Sequence, residues 1–276
     1  MCDLAWAGDA RVKPRSQASL AVSCDGEHWA LLNASPDLRA QIQATPALQP
    51  RVTPRDSPIE AVVLTGAEID QTAGLLSLRE RQSFALFATA ETLAALEANP
   101  MFGALAADVV PRKAVAVDGR FGLPGGLEAE LFMVPGKVPL YLEGDNPVLG
   151  GETGANVGIE IASTGKRLAY VPGAADMTPD MLARFARADV VLFDGTLFAD
   201  DEMIASGTGT KTGRRMGHMP LDGANGTIAS LRHLKARRIL THINNTNPIL
   251  IEGSEERRKV EAAGFEIAED GMEIVL

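Results

Sequence analysis

A chain of 276 residues, 46% of them hydrophobic, has enough apolar material to build its own core. Its formal net charge of −10 turns its general field against nucleic acid and anionic membrane, although a local basic cluster can still bind an acidic small molecule. Two cysteines, Cys2 and Cys24, exclude a disulfide framework and a four-thiolate zinc site. No apolar run reaches the roughly 18 residues of a membrane span. The segment Met1-Cys2-Asp3-Leu4-Ala5-Trp6 lacks the basic and apolar regions of a signal peptide, so the expected compartment is the cytoplasm.

In chain order, residues 19–22 and 29–33 are expected as two strands around a turn at Asp25-Gly26. Pro36 and Asp37 open a short helix over 37–43, and the proline-containing stretch 44–59 is a loop. The continuous apolar run 61–65 predicts a strand buried on both faces, and 70–79 has helical spacing. A strand over 84–88 precedes a helix over 89–98 with Thr89 or Thr92 as N-cap. Strands are expected at 114–117 and 131–134 around a glycine-rich loop, 119–126, and a long loop fills 135–156. Residues 157–162 and 167–171 form a hairpin over Ser163-Thr164-Gly165. Thr178-Pro179-Asp180 starts a helix to about residue 188, with N-cap, N1 proline and an acid in the first turn. A buried strand at 190–194, a loop at 206–224, a helix at 224–234 and a strand at 238–241 follow. Ser254 caps a last helix ending at Gly264, before strands at 265–268 and 272–276. This order predicts two sheets packed face to face with helices outside, an α/β fold of four αββα layers in one domain over residues 1–276.

Four places put polar side chains at strand ends. The segment Val63-Leu64-Thr65-Gly66-Ala67-Glu68-Ile69-Asp70-Gln71 runs a buried strand into Asp70 and Gln71. Val191-Leu192-Phe193-Asp194-Gly195-Thr196 delivers Asp194, and Arg214-Arg215-Met216-Gly217-His218 sets a histidine in a glycine-rich loop. Leu240-Thr241-His242-Ile243-Asn244-Asn245 delivers His242 into an asparagine-rich loop. Taken singly, a strand-end Asp caps a helix and a histidine is structural; His28 and His233 are read that way. Together, two Asp and two His at strand ends suit an open oxygen/nitrogen site for iron, manganese or zinc.

The spacing around Asp70 resembles the metallo-β-lactamase fold, whose proteins carry His-x-His-x-Asp-His there; here those positions read Gly66, Glu68, Asp70 and Gln71. More specifically, the chain resembles the pyrroloquinoline quinone (PQQ) synthesis protein B family. The resemblance is carried by Leu31-Leu32-Asn33-Ala34-Ser35-Pro36-Asp37, Gly74-Leu75-Leu76-Ser77-Leu78-Arg79-Glu80 and Val134-Pro135-Gly136-Lys137-Val138-Pro139-Leu140. It is carried also by Phe193-Asp194-Gly195-Thr196, by the run from Gly209 to His218, and by Thr241-His242-Ile243-Asn244-Asn245-Thr246-Asn247-Pro248. The resemblance implies that His242 matches the fold's late metal histidine and Asp70 its motif aspartate. Gln71 stands where relatives carry His, and Glu152 lies near the middle histidine position and offers a carboxylate. Pro172-Gly173 replaces the bridging aspartate, which argues against a dinuclear hydrolytic zinc centre. RNA-processing phosphodiesterases of the wider fold carry an acidic residue and a Gly-His that move protons together. Asp194 and His218 stand at the matching places, so they are the expected catalytic pair.

The implied function is a step in PQQ synthesis: iron-dependent hydroxylation of the tyrosine-derived part of a Glu-Tyr precursor, with O2 as co-substrate. The expected cofactor is Fe(II), with Zn as the other divalent choice. Lys211, Arg214 and Arg215 are the expected clamp for the precursor's carboxylates, since arginine forks fit carboxylates. The alternative is a non-catalytic carrier of PQQ or its precursor, assisting transport to the periplasm, which substitution of the motif histidine by Gln71 favours. A homodimer is compatible with either. Relatives begin with a strand, a Gly-rich turn and a Cys-x-Cys-x-x-Cys stretch; this chain starts at the last of those cysteines, so neither that strand nor a structural zinc is expected.

Overall fold

The computed structural model describes residues 1–53, 56–144 and 150–276. Twelve strands among them form two sheets. The first joins β1 (Leu20–Val22), β2 (Trp29–Leu32), β3 (Ile59–Val63), β4 (Ala85–Ala88) and β5 (Arg112–Ala114) in that order, antiparallel between β1 and β2 and parallel thereafter. The second contains β6 (Arg120–Leu123), β7 (Leu127–Gly136), β8 (Gly151–Ser163), β9 (Lys166–Val171), β10 (Val190–Asp194), β11 (Arg237–Thr241) and β12 (Phe265–Ile267). Its spatial order is β12-β11-β10-β9-β8-β7-β6, parallel from β12 to β9 and antiparallel beyond.

Side chains alternate across both sheets, so each strand feeds two cores. Ala61 and Val63 of β3, Phe87 of β4, Leu131 of β7, Tyr170 of β9 and Leu192 of β10 meet in the core between the sheets. Val62 and Leu86 point the other way, onto α2 (Leu38–Ala44) and α4 (Ala90–Glu97). Phe132, Val171, Val191 and Phe193 face α5 (Pro179–Ala186) and α9 (Glu255–Ala262) through Phe185 and Val260. Helix, sheet, sheet, helix is the four-layer α/β sandwich expected from the order of elements.

Several local expectations shift. The glycine-rich stretch 119–126 contains β6; only Gly125 and Gly126, with φ of 70° and 85°, make the turn into β7. β5 lies two residues before the expected 114–117. The loop 135–156 loses both ends to strands, because β7 runs through a bulge so that Pro135 and Gly136 pair with Glu152 and Gly151; residues 145–149 of it lie outside the described residues. The helix over 70–79 divides into α3 (Ile69–Thr72) and a 3₁₀ turn, Ala73–Leu78. The break has a cause: Gly74 N donates to Ala34 O and Ala34 N to Gln71 O, which draws the segment onto the loop after β2. The helix over 224–234 contracts to α8 (Thr227–Leu231), and the loop before it holds α7 (Gly213–Met216). Met272 and Ile274 pack on the inter-sheet core, but residues 272–276 join neither sheet. The remaining helices are α1 (Cys2–Trp6) and α6 (Glu202–Ala205). Where caps were expected the chemistry is as read: Thr89, Thr178 and Ser254 accept from Thr92, Met181 and Arg257 N–H.

Candidate metal centre

The C-terminal ends of β3, β10 and β11 converge, the usual position for a site on parallel strands. β10 ends at Asp194, which is fully buried. A buried carboxylate persists only when saturated with donors. Asp194 Oδ1 accepts from Thr196 N at 3.0 Å and Thr196 Oγ1 at 2.6 Å; Oδ2 accepts from Ala174 N at 3.2 Å and contacts His218 Nδ1 at 2.8 Å. Burial works against the ionised form, yet the His218 and His242 rings outweigh it and hold the Asp194 carboxyl below its ordinary value.

Thr196 Oγ1 is the hub. Its one proton goes to Asp194, so at 2.8 Å it accepts from His242 Nδ1. His242 Nε2 in turn lies 2.7 Å from Asp70 Oδ2. Burial would push the His242 imidazole down, but Asp70 and then Asp194 raise it overall, and Asp70 is held low by the same contact against its own desolvation. The His218 and His242 rings stack at 5.2 Å with 18° between planes. Two glycine-like conformations aim them. His242 itself has φ of 54°, and Gly217, at φ 92°, ends α7 just before His218. The asparagine loop is scaffolding: buried Asn247 donates to Gly195 O at 2.9 Å, fixing the backbone beside Thr196.

The loop also holds Glu202, whose Oε1 accepts from Thr246 Oγ1 at 2.6 Å and Oε2 from Phe198 N at 2.7 Å. Burial pushes this carboxyl above its ordinary 4.5. A raised acid favours the fold while protonated; that advantage is complete below about 4.5 and is lost as pH rises through the folded value. Glu202→Gln is therefore expected to melt with the wild type at pH 4 and above it at pH 7.5, measured by calorimetry.

The structure brings Asp70, Asp194, His218 and His242 together. Gln71 is near but engaged: its Oε1 accepts from Glu68 N at 3.2 Å and its Nε2 donates to Thr65 Oγ1 at 3.4 Å. Glu152 is exposed on β8, away from the cluster. Of the expected clamp, Lys211 lines the cleft and Arg215 reaches Glu143 at 3.5 Å, whereas Arg214 is spent on the Ala175 and Asn225 carbonyls and Asp176. Thr196, Lys137 and Glu143 were not singled out from sequence. Thr196 had a signal, a hydroxyl two residues after a strand-end Asp; Lys137 had one in its Pro-Gly-Lys-Val-Pro run. The cleft over the cluster has a volume of about 480 Å³ and is lined by Asp70, His218, His242, Asn156, Lys137 and Lys211 among others. Gly173 forms its floor: a Cβ there would lie 3.1 Å from His218 Cε1, so the position of the missing bridging aspartate is closed by the imidazole.

One donor atom each from Asp194, His218 and His242 lie within 4.8 Å of one another, with Asp70 on the far nitrogen of His242. Two imidazoles, each with one nitrogen already on a carboxylate, are a donor set that fits a divalent cation.

Residues 28–243 match the family model described as beta-lactamase superfamily domain, so fold and site define a member of that superfamily. Solved structures at low identity share the fold, including a diphosphatase of the PhnP family at 19% identity and a TM-score of 0.64, covering 96% of this chain and 85% of that one. Much nearer is coenzyme PQQ synthesis protein B of Methylobacterium nodulans, 55% identical over 100% of this chain and 93% of that protein. The protein of the same name from Rhizobium meliloti is 54% identical over 100% and 90%. The crystal structure of Zn(2+)-bound PqqB from Methylobacterium extorquens superposes with a TM-score of 0.98 at 55% identity, over 100% of this chain and 92% of that one. The chain belongs to the coenzyme PQQ synthesis protein B family, and its role lies in the biosynthesis of PQQ. No helix among the described residues is long and apolar enough to cross a membrane.

Proposed function

We propose that the chain carries out an Fe(II)-dependent hydroxylation, with O2, of the tyrosine-derived part of the Glu-Tyr precursor of PQQ. The observation that supports it is the Asp70–His242 pair beside Asp194–His218 at the floor of a cleft whose wall carries Lys137 and Lys211. Asp70 and His242 would hold the metal. When bound, Fe(II) supplies the O2 chemistry that ring hydroxylation requires; zinc fits the same donors but has no redox chemistry. Asp194 fixes the His218 tautomer, with the proton on Nδ1, so that Nε2 is the basic nitrogen. Nε2 takes and returns a proton beside the substrate. Thr196 keeps the two imidazoles stacked and at fixed separation. The lysines orient a substrate bearing carboxylates, and a cleft of about 480 Å³ has room for one ring.

A carrier without chemistry is the second reading, and Gln71 favours it: an amide committed to Glu68 and Thr65 stands where relatives carry an imidazole. Anaerobic Fe(II) titration with metal analysis, on this chain and on Gln71→His, separates the two. Stoichiometric iron in the unaltered chain is the expected result, with His218→Ala keeping the metal and losing turnover by about 10²–10⁴-fold. Iron in Gln71→His alone would leave the carrier reading standing.

A further inference from the structure

Beside the cleft, whose lining includes Lys137 and Lys211, lies a cluster of three cations and two carboxylates. Lys137, Lys211 and Arg215 all converge on the Glu143 carboxylate, whose side chain is only 8% exposed. Lys137 Nζ lies 2.8 Å from Oε1, while Lys211 Nζ and Arg215 Nη2 share Oε2, each at 3.5 Å. Lys137 has a second carboxylate, Glu68, at 3.0 Å; the shared oxygen is all that Lys211 and Arg215 take from Glu143. Arg215 Nη1 is buried and has no hydrogen-bond partner among the described residues, and the same holds for Glu143 Oε1, which meets Lys137 as an ion pair only. A buried guanidinium donor without an acceptor is costly, and it marks a place where an acceptor belongs. Glu143 arrives there on a short segment that leaves Leu140, Tyr141 and Leu142 exposed, at 60%, 41% and 47%, an apolar surface given up to put one carboxylate among three cations.

We propose that Lys137, Lys211 and Arg215 form the carboxylate-binding site of the cleft, and that Glu143 occupies it as a built-in competitor which a substrate carboxylate displaces. The inference rests on the reading of the substrate as a small carboxylate-bearing molecule. A tethered carboxylate competes at an effective concentration on the order of millimolar. A guest that offers one carboxylate merely exchanges with it. A guest that offers two can give Lys137 and Lys211, the two cations that line the cleft, a carboxylate each. Glu143 thus sets specificity for ligands with more than one carboxylate, and the swap of like for like avoids baring three cations while the site is empty.

The test is calorimetric titration of the full chain with the Glu-Tyr dipeptide at low salt, with the dipeptide's dimethyl ester as control. Glu143→Gln, which keeps shape and drops charge, is expected to bind the dipeptide about tenfold more tightly, with an intermediate gain in Glu143→Asp. The gain should vanish for the ester, shrink at high salt, and be lost in Glu143→Gln/Lys137→Met. Unchanged or weaker binding by Glu143→Gln would overturn the proposal and leave Glu143 as a plain counter-ion. Tighter binding without oxygen consumption by the iron-loaded chain would instead remove the hydroxylase reading and leave the carboxylate site in place.

Discussion

Asp194→Asn is expected to cut turnover by about 10³-fold and to weaken metal binding at once. Both oxygens of Asp194 accept from two donors apiece: Thr196 N and Oγ1 on one, Ala174 N and the His218 ring on the other. An amide turned either way points an NH2 at a backbone N–H in a place with no solvent. One unpaired buried donor costs about 1–3 kcal/mol, so the variant also melts lower. More damaging for chemistry, His218 loses the carboxylate that chooses its tautomer, and His242 loses the charge that Thr196 relays. Stopped turnover, metal content and melting temperature are read on one preparation. Full turnover with normal metal content would show that Asp194 only supports the fold.

The second large effect lies away from the chemistry. A Cβ built on Gly74 would sit 2.1 Å from Ser35 O, 2.8 Å from Leu38 Cβ and 2.9 Å from Ala34 C. Two of those three atoms are backbone and cannot rotate away. Gly74→Ala is expected to destabilise by about 3 kcal/mol, a drop of roughly 6–12 °C in melting temperature, because the overlap must be relieved by moving the loop after β2 or the turn after α3. Asp70 lies in α3, directly before that turn, so metal affinity is expected to fall with stability. Denaturant unfolding checks the first effect and metal titration the second; a variant as stable as the wild type would mean the two segments separate at little cost.

The layering was readable in the sequence because strands covered on both faces are continuous apolar runs. Val190 to Asp194 is one, and its expected and observed limits coincide. Caps were readable where a hydroxyl precedes a helix, as at Thr178 and Ser254. What stayed hidden depends on partners far away in the chain. β6 was taken for loop because Gly122 weakens its pattern, while its pairing with β7 supplies the missing order. Asp194, His218 and His242 could be picked out one by one, since each closes or follows a strand or follows a left-handed glycine; Asp70, expected at a strand end, lies instead in α3, seven residues beyond β3. Thr196 offered only a hydroxyl two residues after a strand-end Asp, because its role as hub exists only when two histidines from different loops reach one hydroxyl. Arg214, adjacent to Arg215 in sequence on a four-residue helix, meets the Ala175 and Asn225 carbonyls where Arg215 meets Glu143, a difference that only the distant partners decide.

The contact between Asp70 and His242 joins residues 172 positions apart, one following the first sheet and the other the second. Closing a loop that long is entropically costly and slow, and nothing local repays it early. Each sheet can gather its own strands before the two meet, but the four side chains face each other only after the sheets have docked. The centre is therefore among the last features to form on the folding path. A chain halted earlier would carry every residue of the site and none of its function, which makes metal uptake a clock for the final step of folding.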